Sequence, residues 1–283
     1  MDYGKIAYVG GGNMTRALAG GMLAAGYEAT HVLISEPLQA HRESLAAELP
    51  GAVILEANED AVRNAECIVF AVKPQILADV CKPLAARVQQ TRPLIISIAA
   101  GVRARDIEAW LGGNLPVVRV MPNQPALLRL GISGLYANEH TSERQLRAAT
   151  NIISTTGPVI KVGSEEDIDT VTAVSGTGPA YFYLLTDMLV KVAVEMGLSY
   201  EDALALVLET ARGAGEMAEQ SGETMDSLIA RVRSPACCAT PASRPSTAPA
   251  TGARATRLLL LRQVWGSISR STILRSWATW PRS

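Results

Sequence analysis

The chain has 283 residues, 48% hydrophobic and 19% charged, with 26 basic and 27 acidic side chains for a net charge of −1. This allows packed cores and about two domains of roughly 100 to 200 residues. The four cysteines, Cys67, Cys81, Cys237 and Cys238, follow neither a disulfide framework nor a CxxC zinc knuckle, which excludes a disulfide-stapled scaffold and fits a reducing cytoplasm.

The chain begins MDYGKIAYVGGGNM, with no basic n-region and no apolar h-region, so a cleaved secretion signal is not expected and the protein is expected in the cytoplasm. Short β-branched runs at residues 5–9, 31–35, 52–55, 67–72, 93–98 and 117–121 predict strands. Helical stretches at 14–25, 40–49, 75–88 and 105–111 lie between them. Alternation of this kind predicts an α/β fold, a parallel sheet covered by helices on both faces. Past residue 160 the strand signal fades, and 167–230 reads as helices broken at 176–179, 197–200 and 222–224. The expected architecture is a Rossmann-like domain followed by an all-helical C-terminal domain, without internal repeats. The longest apolar helix candidate, 180–196, carries Asp187, Lys191 and Glu195 at i, i+4 spacing and reads as an amphipathic soluble helix, not a membrane span.

Gly10, Gly12 and Thr15 occupy the three positions of a GxGxxG pattern between the first strand and the first helix. Such a loop turns tightly and lets a pyrophosphate approach a helix N-terminus, where free N–H groups and the dipole favour anions. Thr15 stands where Gly or Ala is usual, so a looser fit of helix on strand is expected. The second strand ends in Ser35, Glu36 and Pro37, where a carboxylate accepts from ribose hydroxyls and repels a 2′-phosphate. Arg42 and Asn58 nearby can instead hold a phosphate, so NADH and NADPH both stay open.

Three further segments end apolar strands with small residues or proline, which leaves a crevice at the carboxyl edge of the sheet: AVKPQ (71–75), SIAAGV (97–102) and VMPNQPAL (120–127). Lys73 is a candidate for a phosphate or ribose contact, and Asn123 for orienting a nicotinamide. In AVSGTGPAYFY (173–183), glycines around Thr177 and the following Pro179 predict a helix break with exposed backbone N–H groups and the hydroxyls of Ser175 and Thr177. An ordinary helix–helix turn capped by Ser175 reads equally well. His31, His41 and His140 are dispersed and predict no metal site, and Cys67 reads as a buried small hydrophobe.

The ordered set GGGNM, AVKPQ, SIAAGV, MPNQPAL and VTAVSGTGPAYF resembles pyrroline-5-carboxylate reductase, the enzyme of the last step of proline synthesis, over residues 5 to about 235. Departures within it are Thr15 for Gly or Ala, Gln124 for the family's Thr in MPNTP and Thr177 for Ser in SGSGPAY. The resemblance implies hydride transfer from NADPH or NADH to the imine carbon of 1-pyrroline-5-carboxylate, giving L-proline. It places the cofactor on Gly10, Gly12, Asn13, Met14, Ser35, Asn58, Ala71, Lys73, Pro74, Ala99 and Gly101; with Glu36 and Asn123 read from their strand ends, and Gly11 and Val72 within the same segments, these are the candidate cofactor contacts. Ser175, Gly176, Thr177 and Gly178 face the substrate, with Ser175 the candidate catalytic residue. It implies a homo-oligomer and gives no reason to expect nucleic-acid or membrane partners. The corresponding domains are 1–162 for NAD(P) binding and 163–235 for substrate and dimerisation.

The chain changes character after Pro235. From Ser234 onward there is no Asp, Glu, Lys or His, but there are seven Arg and three of the four Trp, which leaves residues 1–233 with 19 basic and 27 acidic groups, or −8. Such asymmetry can mark a nucleic-acid or membrane arm, but the Arg residues are scattered among Trp, Ile and Leu. Where the family continues S-P-G-G, then Thr or Ala, then Thr, this chain has Ser234 and Pro235 followed by Ala236, Cys237, Cys238 and Ala239. The Pro-, Ala-, Ser- and Thr-rich stretch beyond predicts disorder, and residues 236–283 read as the product of a shifted frame. Three functions are therefore weighed: the reductase, a nucleotide-binding remnant lacking the substrate loop and dimer helices, and a related imine or β-hydroxyacid reductase.

Overall fold

A computed structural model describes residues 4–232; the expectations for the tail at 236–283 lie outside the described residues. The chain forms two compact units, one through Pro179 and one from Ala180. In the first, β1 (Ile6–Val9), β2 (Val32–Ser35), β3 (Val53–Leu55), β4 (Cys67–Phe70), β5 (Leu94–Ser97), β6 (Val117–Met121), β7 (Ser133–Ala137) and β8 (Val159–Lys161) form one sheet in the order β3-β2-β1-β4-β5-β6-β7-β8. All neighbours pair in parallel except β6 and β7. The order reverses direction between β1 and β4, the position at which open α/β sheets bind ligands.

The central strands are buried on both faces, which is why they read as continuous apolar runs. Ile6 and Tyr8 join one core with Leu18, Met22 and Ile152, while Ala7 and Val9 join another with Leu77, Leu84 and Ile107. The first core is covered by α1 (Asn13–Ala24), α2 (Gln39–Glu48) and α6 (Glu143–Ser154), the second by α3 (Asn58–Val62), α4 (Pro74–Thr91) and α5 (Ala104–Trp110). The six expected strands and four expected helices of this region are present. α3, β7, β8 and α6 were not anticipated, although α6 starts at a capping box: Ser142 Oγ accepts from Gln145 N, and the Gln145 side chain accepts from Ser142 N.

Beyond the sheet, α7 (Asp167–Val171) runs into a π-helical turn, Thr172–Gly176, and then α8 (Gly178–Glu195). The expected break at 176–179 is therefore corrected. Thr177 keeps right-handed helical angles and its N–H bonds Thr172 O at 2.8 Å, so no free helix start is exposed there, and Pro179 is the second residue of α8. A wider turn absorbs the glycines without ending the helix, since Gly lacks only the Cβ and keeps its N–H. The breaks before α9 (Tyr200–Gln220) and α10 (Met225–Val232) do occur, and Ser199 caps α9 through Asp202 N. Asp187 and Lys191 form the i, i+4 pair at 2.7 Å. Among the described residues no helix is long and apolar enough to cross a membrane.

Cys67 and Cys81 are both buried, as expected for Cys67. Burial raises both thiols, Cys81 from 9.0 to about 12, by disfavouring the thiolate. An acid whose folded-state pKa is raised contributes stability that is complete below its unfolded value and lost as pH rises toward the folded one. The melting temperature is therefore expected to be insensitive to these groups at neutral pH and to fall between pH 9 and 12. Calorimetric scans across that window check this; a melting temperature constant to pH 12 would contradict it.

Candidate active site

The first strand hands over to Gly10, whose φ of +100° suits glycine, and whose N–H bonds Ser35 O at 3.0 Å. A Cβ here would lie 2.9 Å from Val72 Cγ1 and 3.0 Å from Ala71 O, so the ends of β1 and β4 touch through this glycine. At Gly11 a Cβ would meet Leu45 Cδ1 at 2.5 Å. At Gly12 it would meet nothing within 4 Å, and Gly12 is the N-cap of α1 with no side chain capping the helix. Asn13 and Met14 therefore begin a helix whose first N–H groups face open space, the arrangement that accepts a phosphate.

Thr15 does not loosen this loop. It is fully buried and its Oγ1 donates to Gly10 O at 2.6 Å, so the hydroxyl ties the helix to the turn. Glu36, 8% exposed, accepts from Gly11 N through Oε2 at 3.1 Å and from Leu38 N through Oε1 at 3.1 Å. Ser35 turns inward: its hydroxyl, within the sheet, donates to Tyr8 O at 3.4 Å, and it serves the loop through its carbonyl. Arg42 is committed, with Nη1 on Glu36 O and Pro37 O and Nη2 on Glu56 Oε2 at 3.1 Å. Asn58, half-buried, opens α3.

Across the switch point, Ala71 N bonds Val9 O at 2.9 Å, Lys73 is exposed, and Pro74 opens α4. After β5, Ser97 Oγ accepts from Ala99 N, and Gly101 has φ +73°. After β6, the buried Asn123 accepts from Ile132 N at 3.0 Å through Oδ1, which leaves its amide nitrogen to donate. The turn that follows, Gln124–Leu128, packs against α1. The π-helical turn reaches the same edge: a Cβ at Gly176 would lie 2.4 Å from Met121 Cε, at the carboxyl end of β6, and one at Gly134 would strike Val171. Ser175 Oγ donates to Val171 O at 3.1 Å and Thr177 Oγ1 to Thr172 O at 3.1 Å, so Ser175 is not a helix cap. The glycine loop, the 71–74 and 97–101 segments, Asn123 and the 175–178 segment are thus brought to one edge of the sheet.

Residues 5–101 match the family model of NADP oxidoreductases, coenzyme F420-dependent, and residues 165–245 match that of pyrroline-5-carboxylate reductase dimerisation. The pyrroline-5-carboxylate reductase of Pseudomonas aeruginosa is 44% identical over 235 residues, 83% of this chain and 85% of that protein. The chain belongs to the pyrroline-5-carboxylate reductase family. Solved pyrroline-5-carboxylate reductase structures agree: that of Coxiella burnetii, 31% identical, covers 96% of this chain and 99% of its own with a TM-score of 0.77. The Plasmodium falciparum enzyme, whose structure holds NADP, is 30% identical over 83% of this chain and 86% of its own, with a TM-score of 0.74.

Against this pyrroline-5-carboxylate reductase background, one buried pair was not anticipated. Arg119, 3% exposed in β6, lies 2.8 Å from Glu165 Oε1, which also accepts from Ala104 N at 2.6 Å. The signal was present in VVRVM: a lone charge inside an otherwise apolar strand requires a buried partner. Among the described residues no three His, Cys, Asp or Glu cluster as a metal site.

Proposed function

We propose that this chain reduces 1-pyrroline-5-carboxylate to L-proline with NAD(P)H. The observation that carries the reading is the meeting of two features at the carboxyl edge of the sheet. One is the uncapped α1 N-terminus beneath the open space at Gly12; the other is the Ser175–Gly178 segment seated on Met121. The residues fit a dinucleotide: Gly10, Gly11, Gly12, Asn13 and Met14 form the pyrophosphate cradle, Glu36 and Asn58 stand at the adenosine end, and Ala71, Val72, Lys73, Pro74, Ala99, Gly101 and Asn123 line the remainder. A reduced nicotinamide supplies the hydride when bound.

Ser175, Gly176, Thr177 and Gly178 face the substrate, and the two hydroxyls there can turn from their helix carbonyls toward its carboxylate or imine nitrogen. Residues 1–162 then serve the coenzyme and 163–235 the substrate. A homo-oligomer is supported by the dimerisation match and by exposed apolar side chains on the second unit, among them Phe182, Leu206 and Met217. The test is stoichiometric formation of L-proline with oxidation of NAD(P)H by purified protein; coenzyme binding without any proline would count against the substrate.

The same proposal holds that residues 236–283 arise from a shifted frame, because the departure falls inside the loop expected around the substrate. Rereading the coding DNA in the other two frames should reveal a glycine-rich, threonine-containing continuation. A protein carrying that continuation is expected to turn over about a hundredfold faster than the present chain, the scale of restoring one preorganised hydrogen-bond donor. Equal kcat for the two mass-verified proteins would refute the loop's importance.

A further inference from the structure

We infer that this chain selects NADH over NADPH, with Glu36 as the specificity-determining residue. The inference rests on the coenzyme reading above and deepens it.

The two coenzymes differ only in a phosphate on the adenosine ribose, next to the end of β2 in this fold. That position holds a carboxylate that cannot withdraw. Glu36 is 8% exposed, and each of its oxygens already accepts a backbone N–H, from Gly11 and from Leu38. Each oxygen retains a lone pair for a ribose hydroxyl, which donates, whereas a phosphate brings only acceptors and negative charge. The Gly11 bond also links Glu36 to the pyrophosphate loop, so swinging it aside would disturb the cradle.

Among the described residues, the two arginines bonded to α2 and the end of β2 are already committed. Arg42 spends Nη1 on the carbonyls of Glu36 and Pro37 and Nη2 on Glu56, while Arg16 is held by Glu48 and Ser44. Freeing Arg42 for a phosphate would strip Glu56 of its counter-ion and uncap two carbonyls. His41 Nδ1 lies 3.6 Å from Glu36 Oε1 and is a cation only when protonated. Glu36 therefore stands where the 2′-phosphate would approach, and the guanidinium beside it, Arg42, is already committed to Glu36 O, Pro37 O and Glu56.

The test is direct binding to the full chain, read from the fluorescence of the bound reduced nicotinamide. NADH is expected to bind at least about tenfold more tightly than NADPH, the effect of one unfavourable charge contact. In Glu36→Gln, which keeps an acceptor for Gly11 N and removes the charge, the ratio of dissociation constants is expected to approach unity through tighter NADPH binding. Equal or tighter binding of NADPH by the parent chain overturns this inference alone. Absence of binding by either coenzyme overturns it together with the reading on which it rests. A ratio unchanged in folded Glu36→Gln removes Glu36 as its cause, and the parent ratio stands as the test if that variant does not fold.

Discussion

Replacing Gly12 with valine is expected to weaken NADH binding about a hundredfold while moving the melting temperature by only a few degrees. Gly12 has φ −72° and ψ −178°, extended angles that valine adopts readily, and a Cβ there meets nothing within 4 Å. The fold thus has no use for the missing side chain, and the cost of a poorer N-cap is about 1 kcal/mol. The coenzyme does have a use for the space. A branched side chain at the α1 N-terminus displaces the pyrophosphate from the first N–H groups, and losing one charge-assisted hydrogen bond of about 2.7 kcal/mol is a factor of about a hundred. Gly10→Val supplies the contrast. With φ +100° and Val72 Cγ1 2.9 Å from the added Cβ, it should destabilise the protein as well as abolish binding. Titration and thermal melting of both variants separate the two effects. Undiminished NADH affinity in Gly12→Val would remove the pyrophosphate from that position.

Arg119→Ala is expected to lower stability by about 3–5 kcal/mol, the cost of leaving a buried charge without its partner. That corresponds to roughly 10 °C in melting temperature for a protein of this size. Glu165 receives Arg119 Nη1 at 2.8 Å and Ala104 N at 2.6 Å, and so joins β6, the start of α5 and the segment leading into α7. Without the guanidinium its part-buried carboxylate loses its charged donor and keeps the Ala104 N–H. The effect should extend to turnover, because β6 ends at Met121, on which Gly176 sits. The neighbouring pair Arg103–Glu166 is a control: it is solvent-screened, and Arg103→Ala should leave the melting temperature nearly unchanged. Replacing Arg119 and Glu165 together with Met should recover most of the loss, since apolar side chains of similar volume often substitute for a buried pair. Equal effects of Arg119→Ala and Arg103→Ala would show that burial is not what gives the pair its weight.

β1, β2, β4 and β5 were legible because each is buried throughout and so has to be an unbroken apolar run, as in IAYV and CIVF; the half-buried edge strand β3 was legible from its β-branched VIL. SGLYA and VIK carry no such run. β7 takes its strand conformation from hydrogen bonding to β6 and β8 on its two sides, a long-range condition that local pattern cannot report. The glycines around Thr177 were legible as special but not as a π-helical turn, because the constraint is the Met121 side chain pressed against Gly176. Thr15 illustrates the same limit. Its position predicted a looser fit, yet the side chain is buried and its hydroxyl closes on Gly10 O.

By itself, then, the sequence determined the order of strands and helices, the glycine turn at 10–12 and the family, because these rest on local periodicity, glycine conformation and motifs read in a row. Only the tertiary structure decided what Glu36, Arg42, Arg119 and Gly176 do. Glu36 reaches a backbone N–H 25 residues away, and Arg119 a carboxylate 46 residues away. Whether a charged group is a free ligand or a committed partner is decided by what the fold brings within hydrogen-bonding distance of it.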